Sequence, residues 1–210
     1  MKIKELTVTL AAVDDNGISA AQQLVGAGNL LLNGALVVAG AATLDYARQL
    51  GMFSSGNIST VVFTITGTDA NGNAITDTIT GINNSTVETT KYFKTVTQIA
   101  ADAAVGTDVI AGTVDEIATQ AIPLNAYEAI AATVSVVVTG TINFTVQETF
   151  DNVLRLGSSS ITWQNVTALA TKTATTVSPI SVHATATRTI VNSHSSGAAL
   201  AITIIPTNTF

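Results

Sequence analysis

The sequence predicts an all-β fold: an antiparallel β-sandwich of immunoglobulin-like or jelly-roll-like kind, with at most one or two short helices. Three observations carry this. Thr, Val and Ile alternate over many short stretches, as in "TVVFTIT" (Thr60–Thr66), "TVSVVVTGTINFTVQ" (Thr133–Gln147) and "AITII" (Ala201–Ile205). β-Branched residues in period two are the strand signature. Gly, Asn and Ser punctuate these stretches at short intervals, which sets hairpins and sandwich corners between them. Helical candidates are few.

Taken in order, Met1 to Gly28 reads as an N-terminal arm or a short helix. "GISAAQQLVGAG" (Gly17–Gly28) offers Ser19 as N-cap and a glycine stop. Residues 29–119 form a first β module, with a second short helix expected at "TVDEIATQA" (Thr113–Ala121). The join falls near "QAIPLNAYEA" (Gln120–Ala129), and residues 120–210 form a second β module; a single continuous sandwich is the alternative. "VVFTITGT" (Val61–Thr68) and "VSVVVTGT" (Val134–Thr141) echo one another and favour two modules. The last stretch, "ATRTIVNSHSSGAALAITII", reads as a closing hairpin turning at Ser195-Ser196-Gly197. Pro206 is expected to end the final strand, and "PTNTF" to form an arm.

The stretch "VVFTITGTDANGNAITDTITG" (Val61–Gly81) can be examined in register. A two-residue Asn71-Gly72 turn pairs Phe63 with Thr80 and puts the apolar residues of the two strands on opposite faces, which is penalised. A three-residue loop, Ala70-Asn71-Gly72, closed by Asp69 opposite Asn73, pairs Phe63 with Ile79 and Gly67 with Ile75. The apolar sides then agree. This is a type I turn followed by a left-handed Gly, with Asp favoured at its first position. Asp69, Asn71 and Gly72 are therefore expected to be a structural turn. A calcium loop counted from Asp69 wants Gly at its sixth position and Glu at its twelfth; the chain has Ala74 and Thr80 there.

Composition excludes several functions. Hydrophobic residues make up 47%, enough for a core, while charged residues are only 10%, against roughly a quarter in ordinary soluble domains. Thr, Ser, Asn, Gln, Ala and Gly must cover the surface, which suits equally a chain that spends its life against other subunits and a secreted or structural β protein with a Thr-rich face. The net charge is −6 and eight Lys and Arg are scattered, so no basic patch exists to displace counterions from nucleic acid. Cysteine is absent, which removes disulfides, thiolate metal sites and Cys nucleophiles. "MKIKELTVTL" has no apolar core of a signal peptide, and "LLLNGALVVAGAATL" (Leu30–Leu44) falls short of the ~18 residues of a membrane span. No membrane contact is expected.

No catalytic constellation appears. His183 and His194 lack H-x-H or H-E-x-x-H spacing. No G-x-S-x-G elbow or phosphate-binding Gly loop occurs, and "LGSSSITW" (Leu156–Trp163) reads as a Ser-rich turn. Asp14-Asp15 and Asp115-Glu116 are adjacent pairs whose side chains diverge. Aromatic residues are 5%, few for sugar stacking. Trp163, the one tryptophan, is expected to be a packing or interface anchor. No catalytic residue, metal or cofactor is expected.

One order of segments carries a resemblance. "NLLLNGALVVAGAATLDYARQLGMFSSGNISTVVFTITGTDANGNAITDTITGINNSTVETTKYFKTVTQI" (Asn29–Ile99), "IPLNAYEA" with "VVVTGTINFTVQETFDN" (Ile122–Asn152) and "RTIVNSHSSGAALAITII" resemble Thr/Val-rich virion structural proteins of tailed bacteriophages. "LNAYEA" departs from that pattern, where a second Pro and a Phe are expected. The resemblance implies a non-enzymatic component of the phage particle, made in the host cytoplasm. It suits a capsid decoration or cement protein on the head exterior, a homo-oligomer, commonly a trimer, that contacts the major capsid protein. A tail-tube or neck adaptor subunit is the alternative. A carbohydrate-binding adhesin module is a further one; it needs an aromatic cluster, and Trp163, Tyr46, Tyr92 and Tyr127 are widely spaced.

Overall fold

The computed structural model describes residues 3–124, 131–156, 160–181 and 183–207. It is nearly all β, as an all-β sandwich fold requires. The strands are β1 (Lys4–Thr9), β2 (Ser19–Leu24), β3 (Gly28–Asn29), β4 (Val37–Val38), β5 (Ala41–Asn57) and β6 (Val62–Thr68). They continue with β7 (Ala74–Thr80), β8 (Asn83–Glu88), β9 (Phe93–Ala101), β10 (Val105–Ala118), β11 (Ile122–Pro123) and β12 (Ala131–Thr139). The last are β13 (Ile142–Thr149), β14 (Gln164–Asn165), β15 (Thr176–Ile180), β16 (Ala186–His194) and β17 (Ala199–Thr207). A short 3-10 turn covers Thr167–Leu169. The chain divides into two compact units: Val13–Ile117, and Met1–Ala12 together with Ala118–Phe210.

In the Val13–Ile117 unit the strands run in the order β10-β5-β9-β6-β7, with β2 on β10, β3 on β9, and β4 and β8 on β5. The long β5 changes partner along its length, pairing β9 through Ala42 to Arg48 and β8 from Gly51 onward. Alternation decides what each strand buries: β6 and β7 turn Phe63, Ile65, Ile75 and Ile79 into a core shared with Phe93, Val96 and Ile99. Phe63 faces Ile79 and Gly67 faces Ile75, the register of the three-residue loop. Gly67 carries no side chain for a packing reason. A Cβ there would lie 1.9 Å from the Thr95 carbonyl oxygen on β9.

This unit also buries charge. Arg48 is 1% exposed and holds the Asp45 carboxylate with two bonds of 2.7 Å, the bidentate geometry that suits a guanidinium in the interior. Asp77 projects inward from β7. Its Oδ2 accepts the amides of Thr90 (2.6 Å) and Lys91 (3.0 Å) and the Thr90 hydroxyl, and its Oδ1 accepts the Thr78 amide at 2.9 Å. Bonds Asp69 N to Asn73 O and Gly81 N to Val61 O set the alternation of the β6–β7 ladder. It turns the backbone groups of Thr76 and Thr78 away from β6. One group of each is met by a side chain: Lys91 Nζ donates to Thr76 O at 2.6 Å, and Asp77 takes Thr78 N.

In the other unit one sheet has the order β1-β17-β12-β15 and the remaining strands the order β14-β13-β16, with β11 on β16. Val8, Val134, Val136, Leu200, Ile202 and Ile204 form the buried face of the first sheet. Phe144, Val146 and Val191 are buried on β13 and β16.

Several expectations are corrected. The stretch 1–28, read as an arm or a helix, holds two strands; β1 pairs β17 from Lys4↔Ile204 to Thr9↔Ala199, and β2 pairs β10. The helix expected at Thr113–Ala121 is the end of β10. The closing hairpin is not a hairpin. β16 pairs β13, whereas β17 pairs β12 and β1. The Ser195–Gly197 turn instead carries the chain from one sheet to the other, with Gly197 at φ +76. A Gly-containing turn between two alternating stretches serves both arrangements, and pairing partners decide between them. Pro206 does not end the last strand; β17 runs on to Thr207, with Pro206 opposite Ala132. Residues 125–130, which take in "LNAYEA" after Leu124 and with it Tyr127, 157–159 of the Ser-rich turn, and the tip 208–210 of the expected C-terminal arm lie outside the described residues.

Candidate functional site

The Asp69 loop is built as a turn. Gly72 N donates to Asp69 O at 3.1 Å, and Gly72 has φ +83, the left-handed region open to glycine. Asp69 Oδ1 accepts the amides of Asn71 and Asn73, both at 2.8 Å, and Oδ2 accepts Asn73 Nδ2 at 3.1 Å. The carboxylate is spent on its own loop, as Asp does at the first position of a turn.

Trp163 lies half-buried beside β14, and the Arg188 guanidinium sits over its ring, 4.5 Å from the centroid. Arg188 Nε donates to Gln147 Oε1 (2.8 Å), and Gln147 Nε2 to Asn165 Oδ1 (2.9 Å). The indole thus joins the crossing segment to β13 and β16 through a cation–π contact and two amides. His183 is exposed in the turn before β16, and His194 ends that strand with Nδ1 3.1 Å from Ser195 O. Among the described residues no three of His, Asp and Glu gather as metal ligands. No helix among them is long and apolar enough to cross a membrane. Glu148, 5% exposed, accepts the amide (2.8 Å) and hydroxyl (2.5 Å) of Ser181, a structural clamp on the segment after β15.

The feature that the sequence did not single out is a cleft of about 280 Å³ in the Val13–Ile117 unit. Gly51 and Phe53 of β5, Thr86 of β8, and Ile110, Thr113 and Val114 of β10 line it, with Asp15 at its side. Asp15 is placed by its neighbour. Asp14 N donates to Thr113 Oγ1 and Asp14 O accepts Thr113 N, both at 2.9 Å, so the turn lies flat on β10. Gly112 makes this possible, since a Cβ there would meet Asp14 O at 2.0 Å and the Asp15 carbonyl carbon at 2.3 Å. The Asp15 carboxylate is exposed and accepts no hydrogen bond among the described residues. The adjacent Asp115-Glu116 pair diverges: Glu116 takes the Tyr92 hydroxyl.

Charge is unevenly divided. Val13–Ile117 carries ten Asp and Glu against three Lys and Arg, net −7. The other unit carries four against five, net +1, and the two together give the −6 of the chain. No protein family model matches the chain, and no curated protein does.

Proposed function

We propose that this chain is a non-enzymatic structural subunit of a tailed-phage particle, a decoration or cement protein on the outside of the head. In this reading it self-associates, as a trimer, and contacts the major capsid protein. The segment resemblance supports it, and one structural observation carries it: the outer face of the β1-β17-β12-β15 sheet. Across that face run the rows Glu5–Thr203–Ser135–Val177, Thr7–Ala201–Val137 and Ile205–Thr133–Pro179. Val137, Val177 and Ile205 are 40 to 61% exposed, and Glu5 is the single charge in these rows.

Such a face loses little on desolvation and repels nothing. Four strands ~4.8 Å apart, two of nine residues (β12 and β17) flanked by β1 of six and β15 of five, offer roughly 500 Å², less than the ~800 Å² per partner of a standard stable interface. One such contact is weak, and copies linked in an oligomer reinforce one another on a repeating lattice. Light scattering with negative-stain imaging tests this. A trimer that binds undecorated shells is the expected result; a six- or twelve-membered ring moves the protein to the tail or neck.

A further inference from the structure

We propose that the cleft beside Asp15 receives the side chain of a lysine presented by a partner polypeptide. The inference goes beyond the virion reading and does not rest on it. The walls supplied by Phe53, Ile110 and Val114 are apolar, and Phe53 is 38% exposed. They suit a stem of methylenes. The polar residues of the lining are Asp15, Thr86 and Thr113, and the Thr113 hydroxyl oxygen already accepts Asp14 N. The exposed Asp15 carboxylate has no protein donor among the described residues and belongs to a unit of net −7, a field that favours a cation over an anion at the cleft. One carboxylate and a hydroxyl match a compact ammonium with three donors; a guanidinium's planar fork gains most from a fully coplanar acceptor set.

The volume limits the occupant. Small-molecule sites run from ~300 to 1,000 Å³, so about 280 Å³ holds one long side chain rather than a cofactor. Gly51 leaves room for the Val114 Cγ1 and Thr86 Cγ2 methyls, which lie 2.9 and 3.1 Å from where a Cβ would stand. Gly112 and the Asp14–Thr113 pair fix the turn that carries Asp15.

Amide-detected NMR titration of the full chain tests this, with Nα-acetyl-lysine methylamide as the probe and the norleucine and arginine analogues as comparisons. The lysine probe is expected to shift the amides of Gly51, Phe53, Thr86 and Val114, with Kd on the order of 10 mM for so small a ligand. Asp15→Asn is expected to weaken it at least about threefold. Asp108→Asn, which removes an exposed acid of the same unit bonded to Gln23, is expected to leave it unchanged. Any of four results overturns the proposal: no shifts at these amides, equal binding of the norleucine probe, tighter binding of the arginine probe, or equal losses in Asp15→Asn and Asp108→Asn. None of these would touch the oligomer and shell-binding tests above.

Discussion

Asp77→Ala is the sharpest test of how the Val13–Ile117 unit is held. The carboxylate is 8% exposed and accepts three backbone amides and one hydroxyl. Alanine leaves the amides of Thr78, Thr90 and Lys91 without their acceptor. A hydrogen bond to a charged group contributes about 1.5–3 kcal/mol, and an orphaned buried donor costs about 1–3. The bonds are half-buried, so water recovers part of each loss; three amides at the low end give about 3–5 kcal/mol. With a urea slope of about 2–3 kcal/mol/M, the midpoint of this unit falls by about 1–2 M. The assay is urea unfolding followed by circular dichroism, joined to amide hydrogen exchange at the three named residues. Asp77→Asn keeps one acceptor oxygen and turns an NH2 group toward a donor, so its loss is expected to be about half as large. A midpoint shift under about 0.3 M in Asp77→Ala, with exchange at Thr90 and Lys91 unchanged, would refute the reasoning.

Two further outcomes follow from packing. Gly67→Ala drives a methyl to within 1.9 Å of the Thr95 carbonyl and is expected to break the β6–β9 ladder, whereas Gly106→Ala meets nothing within 4 Å and is expected to be near neutral; thermal melts of the two variants separate these cases. Trp163→Ala removes the ring beneath Arg188 and is expected to cost about 2 kcal/mol with oligomeric mass unchanged; lost mass at parental stability would make the ring an interface anchor instead.

The β6–β7 hairpin was legible because two local rules agreed. Only the three-residue loop put Phe63 and Ile79 on one face, and Asp69 and Gly72 occupy the positions that loop demands. The helix expected at Gly17–Gly28 failed for a tertiary reason. Ala, Gln and Leu favour helix in isolation, but Gln22 acts as a strand partner, its Oε1 accepting Leu31 N and its Nε2 donating to Leu31 O, both at 2.9 Å. No local rule reports a side chain standing in for backbone. Thr113–Ala118 likewise became strand as the end of β10, which lies beside β5, and Thr113 there braces Asp14, 99 residues away in sequence. The cleft was illegible for the same reason. Gly51, Thr86 and Val114 carry no motif and meet only through the pairing of β5 with β8 and the placement of β10 beside β5.

The pairing of Lys91 with Thr76 and of Asp77 with Thr78 has a consequence for crowding. A protein crowded against many copies of itself meets its neighbours at very high local concentration, where an open ladder would template cross-β growth. With these two polar groups of β7 already occupied, a fresh strand arriving there must first displace an ammonium and a carboxylate. Asp77 therefore does two jobs at once: it holds Thr90 and Lys91, and it occupies Thr78 N on the open side of β7, a donor that its loss would free.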